Sequence, residues 1–220
     1  METRSPRWEV PDRSKIWLYH ITSWRNLAGI IGSGGLWCSH ERNRRGLHPV
    51  SAAHPRLVTR RAAFGVSHSP FGTLADYEPF TFAPRSPMLC AIAYGKVVNV
   101  SQKDMVHLCI RLERVLTSEA KWLFSDGHAV MQLSRFWNSE ADLNRIDWPL
   151  MKEEQWADTE SDRDRSRRRQ AEFLIHRFVP WDLVGGIGVF DEAVKEKVEE
   201  IVENAAQRPP VREMRKWYYG

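Results

Sequence analysis

Apolar and polar positions alternate over several short stretches of the chain, and these stretches predict strands. Aromatic and β-branched residues dominate most of them, which is the composition that a pleated, half-buried backbone favours. The segments that predict strands are residues 15–22 (KIWLYHIT), 36–40 (LWCSH), 77–84 (YEPFTFAP), 104–112 (DMVHLCIRL), 171–179 (AEFLIHRFV) and 181–191 (WDLVGGIGVFD).

Helical spacing of apolar residues is clearest near the end of the chain. In residues 191–206 (DEAVKEKVEEIVENAA) the valines and Ile201 share one face of a predicted amphipathic helix. Residues 24–34 (WRNLAGIIGSG) predict a helix that glycines end, and residues 86–95 (SPMLCAIAYG) predict one that a serine caps. Residues 116–130 (LTSEAKWLFSDGHAV) contain a further predicted helix and then a turn at Asp126-Gly127.

The longest stretch with weak periodicity is residues 40–75, which is rich in arginine, glycine, histidine and proline. A loop of this length inside a compact domain is usually functional or mobile. We predict one short helix within it, at residues 55–63 (PRLVTRRAA).

The mixed order of strands and helices predicts an α+β fold, because strands and helices do not alternate as in βαβ units. A length of 220 residues with 42% hydrophobic residues suits one domain with a real core. We expect a flexible N-terminal segment at 1–14, a domain at 15–207 and a basic, aromatic tail at 208–220.

Positive charge is clustered although the net charge is only +4. Arginines concentrate at residues 42–61 and again at 163–169, and the chain has ten tryptophans. Adjacent arginines are usually a solvated charge run, but clustered arginines with aromatic residues also suit nucleic acid. Tryptophan is equally a core residue and a platform for stacked bases.

The three cysteines have no CxxC spacing, so the sequence predicts neither a disulfide framework nor a metal site. We expect a reducing, cytoplasmic setting, with no membrane span and no signal-peptide core. The chain has no phosphate-binding Walker loop, and its GGIGVF stretch lacks the glycine spacing of a Rossmann dinucleotide site.

Glu172 is the candidate general base, because it opens an apolar strand directly after a run of arginines. Burial would raise the pKa of this carboxyl, whereas neighbouring arginines would lower it. From the residues alone, an ion pair with Arg168 or Arg169 and a catalytic role are equally supported.

Four other features each have a structural and a functional interpretation. His20, at a strand end, bonds a loop or holds a ribose or amide group. The Arg60–Arg61 pair is solvated or faces an anion. Arg85 belongs to a strand–helix corner or meets a phosphate at the helix start, and His128 caps a turn or orients a ligand.

Five stretches occur in one order: YHIT, the arginine pair, DY-x-PF-x-FAPRSPML, DGHA, and RRRQAEFL followed by VPW. In this order they resemble the DarT family of DNA ADP-ribosyltransferases, the toxins of DarT–DarG toxin–antitoxin pairs. The resemblance covers roughly residues 16–202. PFTFAPRSPML and RRRQAEFL are specific, whereas YHIT is shared more widely among ADP-ribosyltransferases.

The resemblance implies an ADP-ribosyltransferase fold, with a split central β-sheet flanked by helices, and NAD⁺ as co-substrate without a metal. It implies transfer of ADP-ribose to a base in single-stranded DNA, thymine being favoured and guanine possible, with release of nicotinamide. It also implies a macrodomain-type, DarG-like antitoxin as partner. The alternatives are an ADP-ribosyltransferase that acts on RNA or protein, and a non-catalytic nucleic-acid-binding module.

The resemblance also assigns roles to individual residues. Glu172 matches the catalytic glutamate, and the arginine pair contains the catalytic arginine, for which we favour Arg60 over Arg61 and to which we also assign an NAD⁺ contact. Thr81 replaces an aromatic residue that the family often has, and residues 40–75 diverge from it. The remaining implied contacts are to NAD⁺ from His20, Thr22 and Tyr77, and to DNA from His128, Arg85, Arg168 and Arg169.

Overall fold

The computed structural model describes residues 7–52, 54–97 and 99–220. The strands are β1 (Trp17–Ser23), β2 (Gly35–Trp37), β3 (Tyr77–Thr81), β4 (Met105–Arg111), β5 (Trp122–Ser125), β6 (Phe136–Trp137), β7 (Glu172–His176), β8 (Phe178–Pro180), β9 (Val184–Val189) and β10 (Val211–Glu213). The α-helices are α1 (Leu27–Gly32), α2 (Ser39–Arg44), α3 (Pro55–Ala63), α4 (Pro87–Ala93), α5 (Leu112–Leu116), α6 (Trp148–Lys152), α7 (Arg165–Arg169) and α8 (Glu192–Glu203).

Eight strands form one sheet in the order β10-β9-β4-β1-β3-β7-β5-β6, and β2 pairs with β8 in a second, two-stranded sheet. The large sheet is divided at its middle, because β1 and β3 share a single register pair, Tyr19 opposite Thr81. On either side of this point the pairing is extensive: β1 pairs with β4 along its whole length, and β3 pairs fully with β7. The predicted α+β fold with a split central sheet is confirmed.

The core explains why these segments form strands and helices. The inner strand β4 is buried at every position from Met105 to Ile110, as expected of a strand covered on both faces. Helix α8 turns Val194, Val198 and Val202 inwards, and Asp191 caps it by accepting a hydrogen bond from the Val194 N–H at 3.0 Å. The valine stripe of the sequence is therefore the buried face of this helix.

Strands are found in each of the six segments where the sequence predicts them, and helices in four of the five segments where it predicts helices. The helix predicted within residues 116–130 is wrong. Strand β5 occupies that position, because Leu123 and Phe124 are fully buried and β5 pairs with both β6 and β7. The stretch 40–75 contains the predicted helix α3 and also α2, which the sequence does not reveal.

Both ends of the described chain belong to the domain. Residues 1–6 of the predicted flexible segment lie outside the described residues, but Trp8 packs against the core and its N–H bonds the Asn144 carbonyl at 2.7 Å. In the predicted tail, β10 pairs in parallel with β9, and Tyr218 is buried with its hydroxyl donating to the Met105 carbonyl at 2.9 Å. Residues 208–220 are thus a structural part of the domain rather than a separate tail.

None of the helices in the described ranges has the length and apolar character needed to cross a membrane.

Candidate active site

A cavity of about 390 Å³ opens where the sheet divides. Its volume lies within the ~300–1,000 Å³ range of small-molecule sites. Strand β1 contributes His20 and Thr22 to its wall, β3 contributes Tyr77 and Glu78, and α3 contributes Arg61. The split between β1 and β3 therefore creates the cleft, and residues far apart in sequence meet there.

Glu172 begins β7, and its side chain is only 7% exposed. Arg61 Nη1 donates to Glu172 Oε2 at 2.7 Å, and the Ala129 N–H donates to Oε1 at 2.9 Å. Each carboxylate oxygen thus has a donor, which satisfies the requirement for burying a charge. The backbone N–H of Glu172 is also anchored, to Ser125 Oγ at 3.3 Å.

The opposing effects on the Glu172 pKa can be resolved from this geometry. Burial raises the pKa of the carboxyl, but the charge of Arg61, the charge that His128 carries when protonated at low pH and the Ala129 N–H together outweigh burial and hold it below its usual value. Glu172 is therefore an ionised carboxylate at neutral pH, although it is buried.

The arginine pair divides its tasks, because neighbouring residues of a helix point in different directions. Arg61 is 15% exposed, contacts Glu172 and lines the cleft. Arg60 is exposed, and its Nη2 donates to the Val130 carbonyl at 2.8 Å. The sequence favours Arg60 as the catalytic arginine, whereas the structure places Arg61 on the glutamate.

Arg61 has a further donor to offer. Its Nη2 is buried and has no hydrogen-bond partner among the described residues. Leaving a buried guanidinium nitrogen without an acceptor costs free energy, so such groups are usually satisfied by a partner or ligand. Because Arg61 lines the cleft, this nitrogen is the strongest candidate donor to a polar ligand bound there.

His128 lies in the electrostatic surroundings of the same pair and is half-buried. Burial lowers the pKa of its imidazole; the Glu172 carboxylate raises it, and Arg61 and Arg60 lower it again, leaving the pKa below its usual value. The imidazole is therefore neutral at pH 7 and able to act as donor or acceptor. Its backbone N–H bonds the Arg167 carbonyl at 3.0 Å, which fixes the loop next to β7.

Three of the four residues predicted to contact NAD⁺ line the cleft, namely His20, Thr22 and Tyr77, whereas Arg60 is not among the residues that line it. His20 Nδ1 is 3.0 Å from the Pro79 carbonyl, a contact that crosses the split between β1 and β3. Thr22 accepts a hydrogen bond from Asn26 Nδ2 at 3.0 Å. The hydroxyl of Tyr77 donates to the Phe71 carbonyl at 2.7 Å, so Tyr77 presents its ring rather than a free hydroxyl.

Glu78 is a cleft residue that the sequence reasoning missed. Its side chain is 2% exposed, and its carboxylate lies 3.0 Å from Arg42 Nη1 and 3.4 Å from His20 Nδ1. Glu78 therefore ties the strand β3 to both groups. The signal was available, since Glu78 interrupts an apolar strand in the same way as Glu172.

The sequence predicts that Arg168 contacts DNA, but in the structure its guanidinium is paired with three aspartates. Its Nε is 3.0 Å from Asp147, and its terminal nitrogens are 2.6 Å from Asp162 and 3.5 Å from Asp164. Hydrogen bonding to Asp162 raises the pKa of the Arg168 guanidinium, and Asp147 adds to this. The residue holds together acidic side chains and has no vacant face for a phosphate.

Arg169 is buried, with its Nε lacking a partner among the described residues, and Arg85 bonds the C-terminal segment. Arg169 is 3% exposed, and burial lowers the pKa of its guanidinium. Arg85 donates from Nε to the Lys216 carbonyl and from Nη2 to the Tyr218 carbonyl, both at 3.1 Å. In the structure Arg169 is therefore buried and Arg85 anchors the C-terminal segment, and their DNA contacts stay predictions.

Within the described ranges, no group of three or more His, Cys, Asp or Glu side chains is placed to hold a metal ion. Arg61 lines the cleft, and next to it lie the ionised carboxylate of Glu172 and the neutral imidazole of His128.

Comparison with known proteins gives concordant matches. The family model described as "ssDNA thymidine ADP-ribosyltransferase, DarT" matches residues 19–219. A DNA ADP-ribosyl transferase from Thermus aquaticus is 35% identical over 205 residues, which are 92% of this chain and 88% of the relative.

Two solved structures are similar over nearly the whole chain. Thermus sp. 2.9 DarT in complex with ADP-ribosylated ssDNA has a TM-score of 0.87 and 32% identity, and the match covers 97% of this chain and 100% of that one. The same Thermus protein in complex with NAD⁺ has a TM-score of 0.83 and 31% identity, with coverage of 96% and 100%.

Proposed function

The chain belongs to the DarT family of single-stranded DNA thymidine ADP-ribosyltransferases, and we propose that Glu172 and Arg61 form its catalytic pair. The enzyme is an NAD-dependent DNA ADP-ribosyltransferase, as the resemblance of the sequence implies. Thymine in single-stranded DNA is the acceptor that the family description names, and we assign it to this chain.

The observation that carries this proposal is the geometry around Arg61. One terminal nitrogen holds the Glu172 carboxylate at 2.7 Å, and the other is buried without a partner. A guanidinium in this arrangement fixes the base on one side and donates to substrate on the other. A purely structural ion pair would not need the second, unsatisfied donor.

The cleft fits NAD⁺ as the substrate that donates ADP-ribose. It is walled by His20 and Thr22 on one strand and by the ring of Tyr77 on the next. We assign these three residues to NAD⁺ binding, with the His20–Pro79 contact of 3.0 Å keeping the imidazole fixed across the split. Rigid placement matters because transfer requires the reacting atoms to be held about 3 Å apart.

In the reaction, the bond between ribose C1′ and the nicotinamide nitrogen breaks, and nicotinamide leaves with the electron pair. Thymine N3 forms the new bond to C1′, and its proton passes to the Glu172 carboxylate and then to solvent. Arg61 Nη2 stabilises the negative charge that develops on a thymine carbonyl oxygen as the proton leaves. His128, neutral and next to Glu172, contacts the acceptor base.

The acceptor has to be unstacked to reach a cleft inside the sheet. A base that is already in a single strand avoids most of the cost of leaving a duplex, which explains the preference for single-stranded DNA. Arg60 is exposed at the edge of the site and is suited to a phosphate contact, in place of Arg85, Arg168 and Arg169.

The test uses labelled NAD⁺ with single-stranded oligonucleotides that contain one thymidine, one guanosine or neither, and with RNA and protein acceptors. We expect one ADP-ribose on the thymidine oligonucleotide. Glu172→Gln keeps an acceptor for the Ala129 N–H and should lower the rate by roughly 10²–10⁴-fold. The control, Glu199→Gln on the exposed face of α8, should leave the rate unchanged. Label on RNA or protein alone would refute the DNA assignment.

The family resemblance also leads us to propose a cellular role as a toxin that acts in the cytoplasm, with a macrodomain-type, DarG-like antitoxin as partner. An enzyme that marks thymidine would block replication unless the mark is removed. We expect expression of the wild-type chain to arrest growth, and co-expression of a macrodomain hydrolase that removes the mark to restore it. Arrest by the Glu172→Gln variant would contradict this role.

A further inference from the structure

Glu78 is a buried carboxylate in the cleft to which the proposed reaction assigns no step. It lies in β3 opposite Ile175 of β7, its side chain is 2% exposed, and it lines the cavity where the sheet divides. It occupies the variable position of the DY-x-PF stretch, so the family resemblance gives it no role. A charge buried in an apolar strand costs free energy unless it is paired, so its partners indicate what it does.

The first partner of Glu78 is Arg42, which also lines the cleft. Arg42 Nη1 donates to Glu78 Oε2 at 3.0 Å and to the Trp37 carbonyl. Its Nε and Nη2, which form a separate edge of the planar guanidinium, make no hydrogen bond among the described residues. Two parallel N–H groups on one edge suit a bidentate contact with a phosphate, and the pyrophosphate is the anionic group of NAD⁺.

The second partner is His20, on the other side of the split in the sheet. Its Nδ1 lies 3.0 Å from the Pro79 carbonyl and 3.4 Å from Glu78 Oε1. Because both neighbours are acceptors, Nδ1 carries the ring proton, and in the neutral imidazole Nε2 is left as an acceptor. The Phe80 ring, 5.5 Å away, packs against the imidazole. An acceptor held in this way suits a ribose hydroxyl.

We propose that Glu78 is a positioning residue for NAD⁺, an inference that rests on the proposed function. One carboxylate oxygen orients Arg42 for the pyrophosphate, and the other fixes His20 so that Nε2 accepts a hydrogen bond from a ribose hydroxyl. The same contact holds a wall of the cleft, because the Leu47 N–H bonds the Arg42 carbonyl at 2.9 Å and residues 47–52 line the cavity. Glu78 acts through these side chains rather than on the reacting atoms, so it affects NAD⁺ binding more than the chemical step.

Glu78→Gln tests this role. The amide has the size of the carboxylate but a single acceptor oxygen, so its NH2 faces either Arg42 Nη1 or His20 Nδ1 and one contact is lost. We expect Kd and KM for NAD⁺ to rise about ten-fold, the scale of one lost hydrogen bond to a charged group, while kcat changes by less than about two-fold. Calorimetric titration with NAD⁺ alone gives Kd, and labelled NAD⁺ with a thymidine oligonucleotide gives KM and kcat. A merely structural carboxylate would instead lower the active fraction, and so the apparent kcat, without changing KM.

Arg42→Gln is a second variant that approaches the contact from α2, where the Arg42 side chain is 31% exposed. It should raise Kd for NAD⁺ at least as much. The matched control is Arg44→Gln, the same charge loss on the same helix, because Arg44 is exposed, pairs with Glu41 and is not among the residues that line the cleft. In the Glu78→Gln/Arg42→Gln double variant, Kd should rise by less than the product of the two single effects, because both substitutions remove one shared contact.

The outcomes separate this inference from the function on which it rests. If wild-type enzyme labels DNA and Glu78→Gln has the wild-type Kd and KM for NAD⁺, the positioning role is refuted and the function stands. Tighter binding by Glu78→Gln would refute it too, since the carboxylate would then only weaken the attraction between Arg42 and the pyrophosphate. Equal effects of Arg42→Gln and Arg44→Gln, or a change in kcat alone, would also refute it. If wild-type enzyme neither binds NAD⁺ nor labels DNA, both the function and the inference are refuted.

Discussion

Replacement of Arg61 by glutamine tests the catalytic pair and separates its two effects on Glu172. The substitution removes the 2.7 Å contact to Oε2 and leaves only the 2.9 Å bond from the Ala129 N–H on the buried carboxylate. It also removes the unpartnered Nη2. Loss of a donor that stabilises developing charge usually lowers kcat by roughly 10²–10³-fold. We expect a fall of that size in the rate of DNA modification.

The effect on stability has an upper limit that depends on pH. Breaking a buried ion pair costs about 3–5 kcal/mol, but Glu172 can escape that cost by taking up a proton. From the ordinary carboxyl pKa of 4.5, protonation costs about 3 kcal/mol at pH 7 and about 1.4 kcal/mol at pH 5.5. The destabilisation should therefore be about 3 kcal/mol at most at pH 7 and should shrink as the pH falls.

The sign of this trend follows from the direction of the pKa. In the wild type the pKa of Glu172 is lowered, so its contribution to stability is present above pH 4.5 and is lost as the pH falls further. In Arg61→Gln, burial prevails and the pKa is raised, so the variant loses stability as the pH rises instead. Urea denaturation at several pH values measures the free energy of unfolding in both proteins.

The control is Arg60→Gln, which loses one partly buried hydrogen bond to the Val130 carbonyl. It should unfold within about 1 kcal/mol of the wild type and keep kcat within a few-fold, while loss of its proposed phosphate contact raises KM for DNA. An equal loss of rate in both variants would refute the assignment of Arg61, and a wild-type rate in Arg61→Gln would remove the guanidinium from the mechanism.

Three further predictions concern groups away from the reacting atoms. Arg168→Gln should lower the free energy of unfolding, measured in urea, by ~3 kcal/mol, because it leaves the buried Asp147 without its ion-pair partner. The salt dependence of DNA binding should not change, and a reduced salt dependence would support the predicted contact of Arg168 with DNA. Burial lowers the pKa of His107 to about 4, so protonation of this residue should lower the free energy of unfolding by about 3 kcal/mol between pH 6.5 and 4. An equal fall in His107→Leu would show that His107 is not the cause. Gly188→Ala places a Cβ against the Trp217 ring and should lower the free energy of unfolding by ~1–3 kcal/mol, whereas Gly32→Ala, with open space around it, should not; equal thermal midpoints would refute the close packing of the C-terminal segment.

Local sequence patterns are sufficient for most elements, because the period of apolar residues reports which face is buried. They fail at β5, where WLF lies between a helix-favouring stretch and a turn. There the partners decide: β6 and β7 lie on both sides of β5 and bury Leu123 and Phe124. β7 is distant in the sequence and β6 has only two residues, so the residues around β5 alone do not predict that it is a strand.

The site shows the same limit. Glu172 stands out in the sequence because a carboxylate opens an apolar strand. The choice between Arg60 and Arg61 depends on the direction in which α3 faces, and that direction is set by packing rather than by the residues themselves. Arg168 looks free in sequence because one of its acidic partners, Asp147, comes from a distant segment, and Asp162 is brought back by the turn before α7.

The lowered pKa of Glu172 constrains the timing of catalysis. A carboxylate has about four acceptor positions, and Arg61 and the Ala129 N–H occupy two, so a ribose hydroxyl and the base proton can be accepted without breaking either contact. The same contacts make Glu172 a weaker base, and thymine N3 is only weakly acidic. The proton must therefore leave N3 as the bond to C1′ forms, when the nitrogen is most acidic. If ionisation of Glu172 alone limited the rate, Arg61→Gln would recover full activity at high pH; because Arg61 also donates to the transition state, we expect the variant to remain slow at every pH.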